Sequence, residues 1–329
     1  MTEHCCTPRS PMPLATVTAA GSVGDSVGSP CPAEPSRGSS VHGVDQVLVP
    51  SQTFLMGDAR GDGRRSDGEC PVHAVWLDAF QIDATSVTND DFTRFVQATG
   101  YRTEAETLGF SAVFHLVVRA PGEALMDQAD ASAWWWGVRG ADWTHPYGPD
   151  SDLTGVGDHP VVHVTWNDAQ AYCRWAGRRL PTEAEWECAS RGGLGGARFP
   201  WGDELLTPDG AWQANIWQGT FPTVNTGDDG WITTAPVRSY SPNGYGLWQT
   251  VGNVWEWCED IYHPRAYTAR SSSRPVRNPR ETGQDRLRAL RGGSYLCHDS
   301  YCNRYRNAAR SSNTPDSSMG NAGFRTVQG

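Results

Sequence analysis

The sequence predicts a single α+β domain with little regular secondary structure. Gly 36 and Pro 22 in 329 residues, against 19% charged residues, favour a loop-rich fold over a helical bundle. Only three segments carry clear helix start or stop signals, and the other apolar segments are short and alternating, which is typical of short strands. A hydrophobic content of 38% with 15 Trp is enough to form a sizeable core. No internal repeat is evident.

The chain divides into a predicted tail and a predicted domain. Residues 1–43 are rich in Ser, Gly, Pro, Ala and Thr, which predicts a disordered tail. Residues 44–329 form the predicted domain. Its first elements are strand-like segments over residues 47–49, 54–56 and 72–82.

Three helices are predicted, each preceded by a threonine that can cap it. They cover residues 88–100, 165–177 and 182–193, and the last opens with the capping box Thr182-Glu183-Ala184-Glu185. After Gly193 the periodicity is weak, and turn dipeptides such as Asn-Gly and Asp-Gly predict irregular structure.

Charge and composition exclude several classes of function. The net charge of −10 argues against a nucleic-acid or anionic-membrane partner. The chain contains no lysine, which excludes Schiff-base and P-loop lysine chemistry. No apolar stretch is long enough to span a bilayer, and the acidic start of the chain lacks the basic region of a signal peptide. We therefore expect a cytoplasmic protein.

Two of the nine cysteines, Cys297 and Cys302, lie five positions apart among hydroxyl, aromatic and arginine residues. Two thiolates on one short segment suit Cu(I), and they also suit thiol–disulfide exchange. The same spacing fits two buried structural cysteines or a static disulfide. The other seven cysteines show no framework spacing, which indicates a mostly reduced protein.

An irregular fold leaves many backbone groups to satisfy, and Ca²⁺ accepts backbone carbonyls as well as carboxylates. Residues 215–216, 228–231 and 252–256 offer such a mixture of ligands. Ordinary Asx turns also explain these segments, and they are the simpler interpretation from the residues alone.

Several motifs together resemble the formylglycine-generating enzymes that activate sulfatases. The resemblance covers residues 44–325. It is carried by Arg-Leu-Pro-Thr-Glu-Ala-Glu-Trp-Glu at 179–187, Gly-Asn-Val-Trp-Glu-Trp at 252–257, Ser294 with Cys297-x4-Cys302, and Gly-Phe-Arg at 323–325. The first two motifs are shared by a wider C-type-lectin-like superfamily, which includes iron sulfoxide synthases and noncatalytic binding modules, so they indicate the fold. The cysteine segment indicates the activity.

The resemblance implies a monomeric oxidase that uses O₂ and Cu(I). Its partner would be an unfolded or nascent sulfatase, and it would convert the cysteine of a Cys-x-Pro-x-Arg segment to Cα-formylglycine. Cys297 and Cys302 would hold Cu(I) as a bis-thiolate and leave a position for the substrate thiolate. The other implied site residues are Ser294 and Tyr301 as hydrogen-bonding groups, Trp255 as a wall of the oxygen pocket, and Asn321 as a polar lining residue.

The resemblance also implies two calcium sites and a place for the substrate arginine. The first calcium site would use Asn215, Ile216, Asp229 and Trp231, and the second Gln249, Thr250, Gly252 and Val254. Glu104 and Glu106 lie in the segment that the family places near the substrate groove, although a solvated face is the simpler explanation of both. Phe110 stands where some members carry an acidic residue.

Two other functions are compatible with the same residues. A thiol–disulfide oxidoreductase would use Cys297 and Cys302 as a redox pair and would work without copper. A noncatalytic binding module would retain its function when either cysteine is replaced by alanine.

Overall fold

A computed structural model describes residues 41–126, 134–271, 273–283 and 286–329 of the chain. Of the tail predicted over residues 1–43, residues 1–40 lie outside the described residues. His42 is buried, and its ring nitrogens lie 3.1 Å from the Tyr172 hydroxyl and 2.7 Å from the Asp83 carboxylate. The packed part of the described chain therefore includes His42.

The strands of the described residues are short. They are β1 (Gln46–Val49), β2 (Gln52–Met56), β3 (His73–Leu77), β4 (Phe80–Asp83), β5 (Phe110–Phe114), β6 (Trp135–Arg139), β7 (Arg178–Arg179), β8 (Gly219–Thr220), β9 (Val224–Asn225), β10 (Trp255–Ile261), β11 (Val276–Arg277), β12 (Arg288–Arg291), β13 (Arg310–Asn313), β14 (Ala322–Gly323) and β15 (Val327–Gln328).

The helices are also short, and most begin at a threonine capping box. They are α1 (Asn89–Thr99), α2 (Glu104–Leu108), α3 (Trp166–Ala176), α4 (Glu183–Ser190) and α5 (Ala266–Arg270). The hydroxyls of Thr88, Thr103, Thr165 and Thr182 each accept a hydrogen bond from the third residue of α1, α2, α3 and α4 in turn. The three predicted helices are confirmed, while α2 and α5 are additional. None of the described helices is long and apolar enough to cross a bilayer.

The strands form two four-stranded sheets, one three-stranded sheet and two hairpins over the described residues. The single strand predicted over 72–82 is wrong, because β3 pairs with β2 whereas β4 pairs with β1 in another sheet. The chain turns at Asp78, whose carboxylate accepts hydrogen bonds from the Trp76 indole at 3.1 Å and the Asn278 amide at 2.8 Å.

The sheet with the strand order β13-β12-β10-β14 lies in the region that the sequence predicted to be irregular. Strands β10 and β14 are parallel, and the other two pairs are antiparallel. Strands β12 and β13 lack an apolar alternation because charged residues occupy buried positions. Arg291 and Arg310 are both fully buried.

Helix α4 packs against this sheet through buried ion pairs. The Glu183 carboxylate accepts hydrogen bonds from Arg310 at 2.9 and 2.7 Å and from Arg291 at 3.3 Å. Glu187 accepts from Arg291 at 2.6 Å and from Arg191 at 2.7 Å. These contacts place the end of β12, and so the loop that follows it, against α4.

The largest apolar cluster of the described residues lies around this sheet. It contains the indoles of Trp186, Trp217, Trp255 and Trp257 together with both cysteines of the candidate site. The two cysteine side chains are therefore part of the core.

We predict that Glu183→Gln lowers the free energy of unfolding by about 3 kcal/mol or more, because it leaves buried guanidinium charges uncompensated. Burial alone would raise the pKa of Glu183, but Arg310 and Arg291 outweigh it and lower the pKa to about 2 from an ordinary 4.5. The ionised group therefore stabilises the fold above pH 4.5, and this contribution is lost as the pH falls toward 2.

Urea unfolding of the wild type and the variant at several pH values checks this. The difference between them should be largest near neutral pH and should narrow below pH 4.5. Asp45→Asn is the control because its pair with Arg238 is exposed (77% and 49%), and it should change stability by less than about 1 kcal/mol. Equal effects of the two substitutions would contradict the prediction.

Candidate active site

Cys297 and Cys302 lie in the loop that follows β12, and both side chains are fully buried. Between them the chain folds back on itself. The carbonyl of His298 accepts hydrogen bonds from the backbone N–H groups of Tyr301, Cys302 and Asn303 at 3.3, 3.0 and 3.1 Å. The loop tip thus faces solvent while the two thiols lie beneath it.

Both thiols lie near one aromatic ring. Burial, Asp299 and the two cysteines together raise the pKa of the Tyr305 hydroxyl. Both cysteines also belong to the largest apolar cluster of the described residues. This arrangement suits the joint binding of a soft cation, for which thiolates are preferred ligands.

Two glycines create the sharp turn from β12 into the loop. Gly292 and Gly293 have φ values of 95° and 73°, in the left-handed region. A Cβ atom on Gly292 would lie 2.6 Å from the Thr250 carbonyl oxygen, and one on Gly293 would lie 2.8 Å from the Arg304 carbonyl oxygen. Only glycine fits this turn, which directs Ser294 into the interior.

Ser294, Asn321 and Trp255 are brought together by the fold. The Ser294 hydroxyl oxygen accepts hydrogen bonds from the Asn321 side-chain amide at 3.0 Å and from the backbone N–H of Leu296 at 3.3 Å. The backbone carbonyl of Asn321 accepts a hydrogen bond from the backbone N–H of Trp255 at 2.8 Å. The indole Nε1 of Trp255 is buried and has no hydrogen-bond partner among the described residues. Three predicted site residues therefore form one contiguous group.

Tyr301 belongs to an aromatic wall beside the cysteines. Its ring stacks on Phe221 with centroids 3.8 Å apart and planes inclined by 6°. Trp134 meets Tyr301 edge-on at 6.2 Å. Tyr301 is a residue of the cysteine loop, and its side chain is half-buried.

The first predicted calcium site has the character of a cation site. The Asp229 carboxylate accepts hydrogen bonds from the backbone N–H groups of Ile216 at 3.0 Å and Trp231 at 2.9 Å, and burial raises its pKa. The side-chain oxygens of Asn215 and Gln218 are buried and lack hydrogen-bond partners among the described residues. Such orphaned oxygens beside a carboxylate fit Ca²⁺. Sequence reasoning missed Gln218.

The second predicted calcium site fits less well. The Gln249 side-chain oxygen is buried and lacks a hydrogen-bond partner among the described residues. The Thr250 hydroxyl, however, already accepts a hydrogen bond from Ser190 at 2.9 Å. Gly252 and Val254 are buried and have only backbone oxygens to offer.

Glu104 and Glu106, the two candidates for binding the substrate arginine, differ in the hydrogen bonds that their carboxylates already make. One Glu106 oxygen binds the Thr103 cap and lies 3.3 Å from the Trp143 indole nitrogen, so this carboxylate has a structural role. One Glu104 oxygen accepts from Asn167 at 3.0 Å, and the other is buried without a partner among the described residues. Phe110 begins β5 and is half-buried. A groove of about 480 Å³ is lined by Glu104, Thr107, Leu108, Asn167, Arg286, Thr314, Pro315 and Asp316.

Four buried or half-buried histidines make contacts of a structural kind. His73, His115 and His163 contact backbone carbonyls, and His159 contacts a threonine hydroxyl. Among the described residues, no group of three or more His, Cys, Asp or Glu side chains could hold a metal. The candidate copper and calcium sites use fewer such residues.

Sequence reasoning missed residues 62–69, a segment that packs against the residues of and after the cysteine loop. Asp67 forms an ion pair with Arg304, and Glu69 forms one with Arg306. No periodicity or motif marks the segment, because its partners are more than 230 residues away in the chain.

Comparison with known proteins identifies similar proteins over most of the chain. A Formylglycine-generating enzyme of Streptomyces coelicolor is 61% identical over 85% of this chain and 88% of its own length. An Inactive C-alpha-formylglycine-generating enzyme 2 of Bos taurus is 41% identical over 87% of this chain and 88% of its own length. The solved structure of PvdO from Pseudomonas aeruginosa shares the fold, with a TM-score of 0.58 at 22% identity over 86% of this chain and 93% of PvdO.

A family model for the sulfatase-modifying factor enzyme 1-like domain matches residues 33–329, which include the whole of the predicted domain and all of the described residues. The chain therefore belongs to the FGE-sulfatase family of sulfatase-modifying factor enzyme 1-like proteins.

Proposed function

We propose that this chain is a formylglycine-generating enzyme, which oxidises the cysteine of a sulfatase Cys-x-Pro-x-Arg segment to Cα-formylglycine with O₂. The observation that carries the proposal is the pair of buried thiols on one folded loop, beside the Ser294–Asn321 hydrogen bond. The 61% identical relative supports it. Because a relative named inactive has the same family domain, the activity has to be argued from the site itself.

Cys297 and Cys302 are the residues that would hold Cu(I). Their buried position among indole and phenol rings suits a soft, weakly hydrated cation. When bound there, Cu(I) would supply a soft centre for the substrate thiolate and an electron source for O₂.

Ser294 is the group best placed to donate a hydrogen bond into the site. Its oxygen accepts two N–H bonds, so the hydroxyl proton remains for a third partner. Asn321 fixes the direction of that hydroxyl, since its amide holds the serine oxygen from one side. Trp255 contributes an apolar wall and an unused indole N–H donor. Tyr301 borders the same loop with its phenol.

The substrate would bind as an extended peptide, which requires an unfolded or nascent sulfatase. Glu104 lines the groove of about 480 Å³, and one of its oxygens has no hydrogen-bond partner among the described residues, so it is our candidate for binding the substrate arginine. Glu106 is the weaker candidate because one of its oxygens already caps α2.

We further propose that the protein is a cytoplasmic monomer. Cys70, Cys173, Cys188 and Cys258 form no disulfides, which supports a reducing compartment. Ca²⁺ at Asn215, Ile216, Asp229 and Trp231 is part of the same proposal, with the Gln249 site as a weaker second one.

We predict that Cys297→Ala and Cys302→Ala each lower peptide conversion by more than about 100-fold, because each removes a metal ligand. The assay is mass spectrometry of a Cys-x-Pro-x-Arg peptide incubated with O₂, with and without one equivalent of Cu(I). Cys188→Ala is the matched control. That buried thiol has its pKa raised to about 12 by burial and packs in a second cluster, so conversion should persist.

Conversion that does not depend on copper would contradict the proposal and favour a thiol–disulfide oxidoreductase. Full function in both cysteine variants would favour a noncatalytic binding module.

We predict that Ser294→Ala lowers kcat by about 100-fold while the affinity for Cu(I) stays unchanged, because the variant loses a donor but no metal ligand. Steady-state kinetics and a Cu(I) titration measure the two effects separately. The exposed Ser241→Ala is the control and should change neither. An unchanged kcat in Ser294→Ala would remove this residue from the mechanism.

We predict that chelation of Ca²⁺ lowers the Tm of the wild type by several degrees, because an ion that binds only the folded state stabilises it. Asp229→Asn should largely abolish this response, whereas the exposed Asp45→Asn should retain it. Thermal unfolding with excess Ca²⁺ and with a chelator provides the measurement. An Asp229→Asn response equal to that of the wild type would refute the assignment of the first site.

A further inference from the structure

We propose that Asp67 and Glu69 are positioning residues that fix Cys302 relative to Cys297 and thereby set the affinity of the two thiols for Cu(I). The inference rests on the proposed function only in assigning Cu(I) to these cysteines.

The two cysteines are held by different parts of the molecule. The backbone N–H of Cys297 donates to the Ser294 carbonyl at 2.9 Å, and its carbonyl accepts from the backbone N–H of Trp217 at 3.1 Å. Cys297 is thus anchored to the turn after β12 and to residues 215–218. Cys302 is joined to this half of the loop by the hydrogen bond from its backbone N–H to the His298 carbonyl at 3.0 Å. The chain that follows Cys302 has additional contacts of its own.

Two bidentate ion pairs hold the residues that follow Cys302. The Arg304 guanidinium donates to both Asp67 carboxylate oxygens at 2.6 and 2.9 Å. The Arg306 guanidinium donates to both Glu69 oxygens at 2.8 and 2.9 Å. A two-point contact between planar groups fixes orientation as well as distance. Cys302, two residues before Arg304, follows that orientation.

The ion pairs are buried, so water competes little with them. Side-chain exposure is 4% and 8% for Arg304 and Asp67, and 2% and 1% for Arg306 and Glu69. Asp67→Asn would remove the charge of the carboxylate that binds the buried Arg304, whereas Glu69→Gln would leave Arg306 with the more distant Asp62 carboxylate at 3.4 Å. We therefore expect each pair to persist whenever the protein is folded.

The carboxylates themselves sit on a rigid segment. Asp67 ends a short 3₁₀ turn, and its carbonyl accepts a hydrogen bond from the Tyr262 hydroxyl at 3.0 Å. Gly68 has a φ of 68°, and a Cβ there would lie 2.1 Å from the Pro264 carbonyl oxygen. This segment, residues 65–69, therefore packs closely against the chain that follows β10. We call it the platform, because it carries the carboxylates that bind the two arginines.

Two further contacts extend the platform along the loop. The Arg64 guanidinium donates to the carbonyl of Tyr301, and the Asn303 amide donates to the carbonyl of Asp62 at 3.2 Å. Asn303 has a φ of 48°, a left-handed conformation that asparagine tolerates. The half of the loop on the Cys302 side is therefore bound by residues 62–69.

A metal that needs two thiolates gains affinity when both are already in place. If Asp67 or Glu69 is replaced by its uncharged amide, we expect residues 302–306 to gain conformational freedom. Metal binding then has to order these residues, which lowers the affinity. Partners outside the ligand shell typically contribute about 10-fold to 100-fold in metal affinity. We expect weaker Cu(I) binding while both ligands remain chemically intact.

The experiment compares Asp67→Asn and Glu69→Gln with the wild type, using the full chain without metal under anaerobic conditions. Cu(I) affinity is measured by competition with a chromophoric Cu(I) chelator, after circular dichroism has shown that each variant is folded. We expect about 10-fold weaker binding in each variant. Peptide conversion should fall at limiting copper and recover with excess copper.

Matched controls separate positioning from general damage. Glu185→Gln weakens another bidentate pair, to Arg179 at 2.8 and 2.6 Å, and should leave Cu(I) affinity unchanged. Asp67→Glu keeps the charge and should bind Cu(I) nearly as well as the wild type. The single variant Arg304→Gln and the double variant Asp67→Asn/Arg304→Gln complete the test. The double variant should bind Cu(I) no more weakly than the weaker-binding of its two single variants, because the two residues form one ion pair. If Glu69→Gln does not fold, the Asp67 series is sufficient for the test.

The outcomes distinguish the two proposals. If Cys297→Ala or Cys302→Ala binds Cu(I) as tightly as the wild type, the copper assignment is wrong. If both alanine variants lose binding but Asp67→Asn and Glu69→Gln bind like the wild type, the copper assignment stands and the positioning role is overturned. An equal loss in Glu185→Gln would also overturn it.

Discussion

Charge compensation inside the core is the constraint on which the site depends. Arg291 and Arg310 enter the interior from neighbouring strands, and Glu183 and Glu187 of α4 pair with them. An unpaired buried charge costs several kcal/mol, so the strands and helix can pack only in the register that pairs every group. Gly292 follows Arg291 directly, and the cysteine loop therefore inherits its position from this network.

The site combines an apolar enclosure with few polar groups. Trp217 and Trp255 are buried beside the thiols, whereas Ser294 and Asn321 supply the hydrogen bonds. A small number of oriented polar groups in an apolar pocket is typical of sites that position one substrate group. The backbone carbonyl of Asn321 also accepts a hydrogen bond from the backbone N–H of Trp255, so Asn321 links the apolar wall to the Ser294 donor.

The sequence predicted the helices better than the strands, for reasons visible in particular residues. Thr-Glu-Ala-Glu occurs at 103–106 and at 182–185, and both copies form capping boxes. Only the second was interpreted as a helix start, and Glu106 was considered for substrate binding. Strands β12 and β13 escaped notice because Arg291 and Arg310 fill buried positions where apolar residues are expected. The cysteine pair was evident from its spacing and its neighbours. Asp67 and Glu69, which pair with Arg304 and Arg306, gave no local signal because they lie more than 230 residues away in the chain.

The absence of lysine is consistent with how this molecule fixes its loops. At Arg304 and Arg306 a planar guanidinium meets a carboxylate at two points, which restricts rotation as well as separation. A lysine ammonium would make a point contact and leave the backbone free to turn about it. Rotation matters here because Cys302 precedes Arg304 by only two residues. The hydrogen bonds of the loop to the His298 carbonyl and the ion pairs outside the loop therefore act together on the position of Cys302.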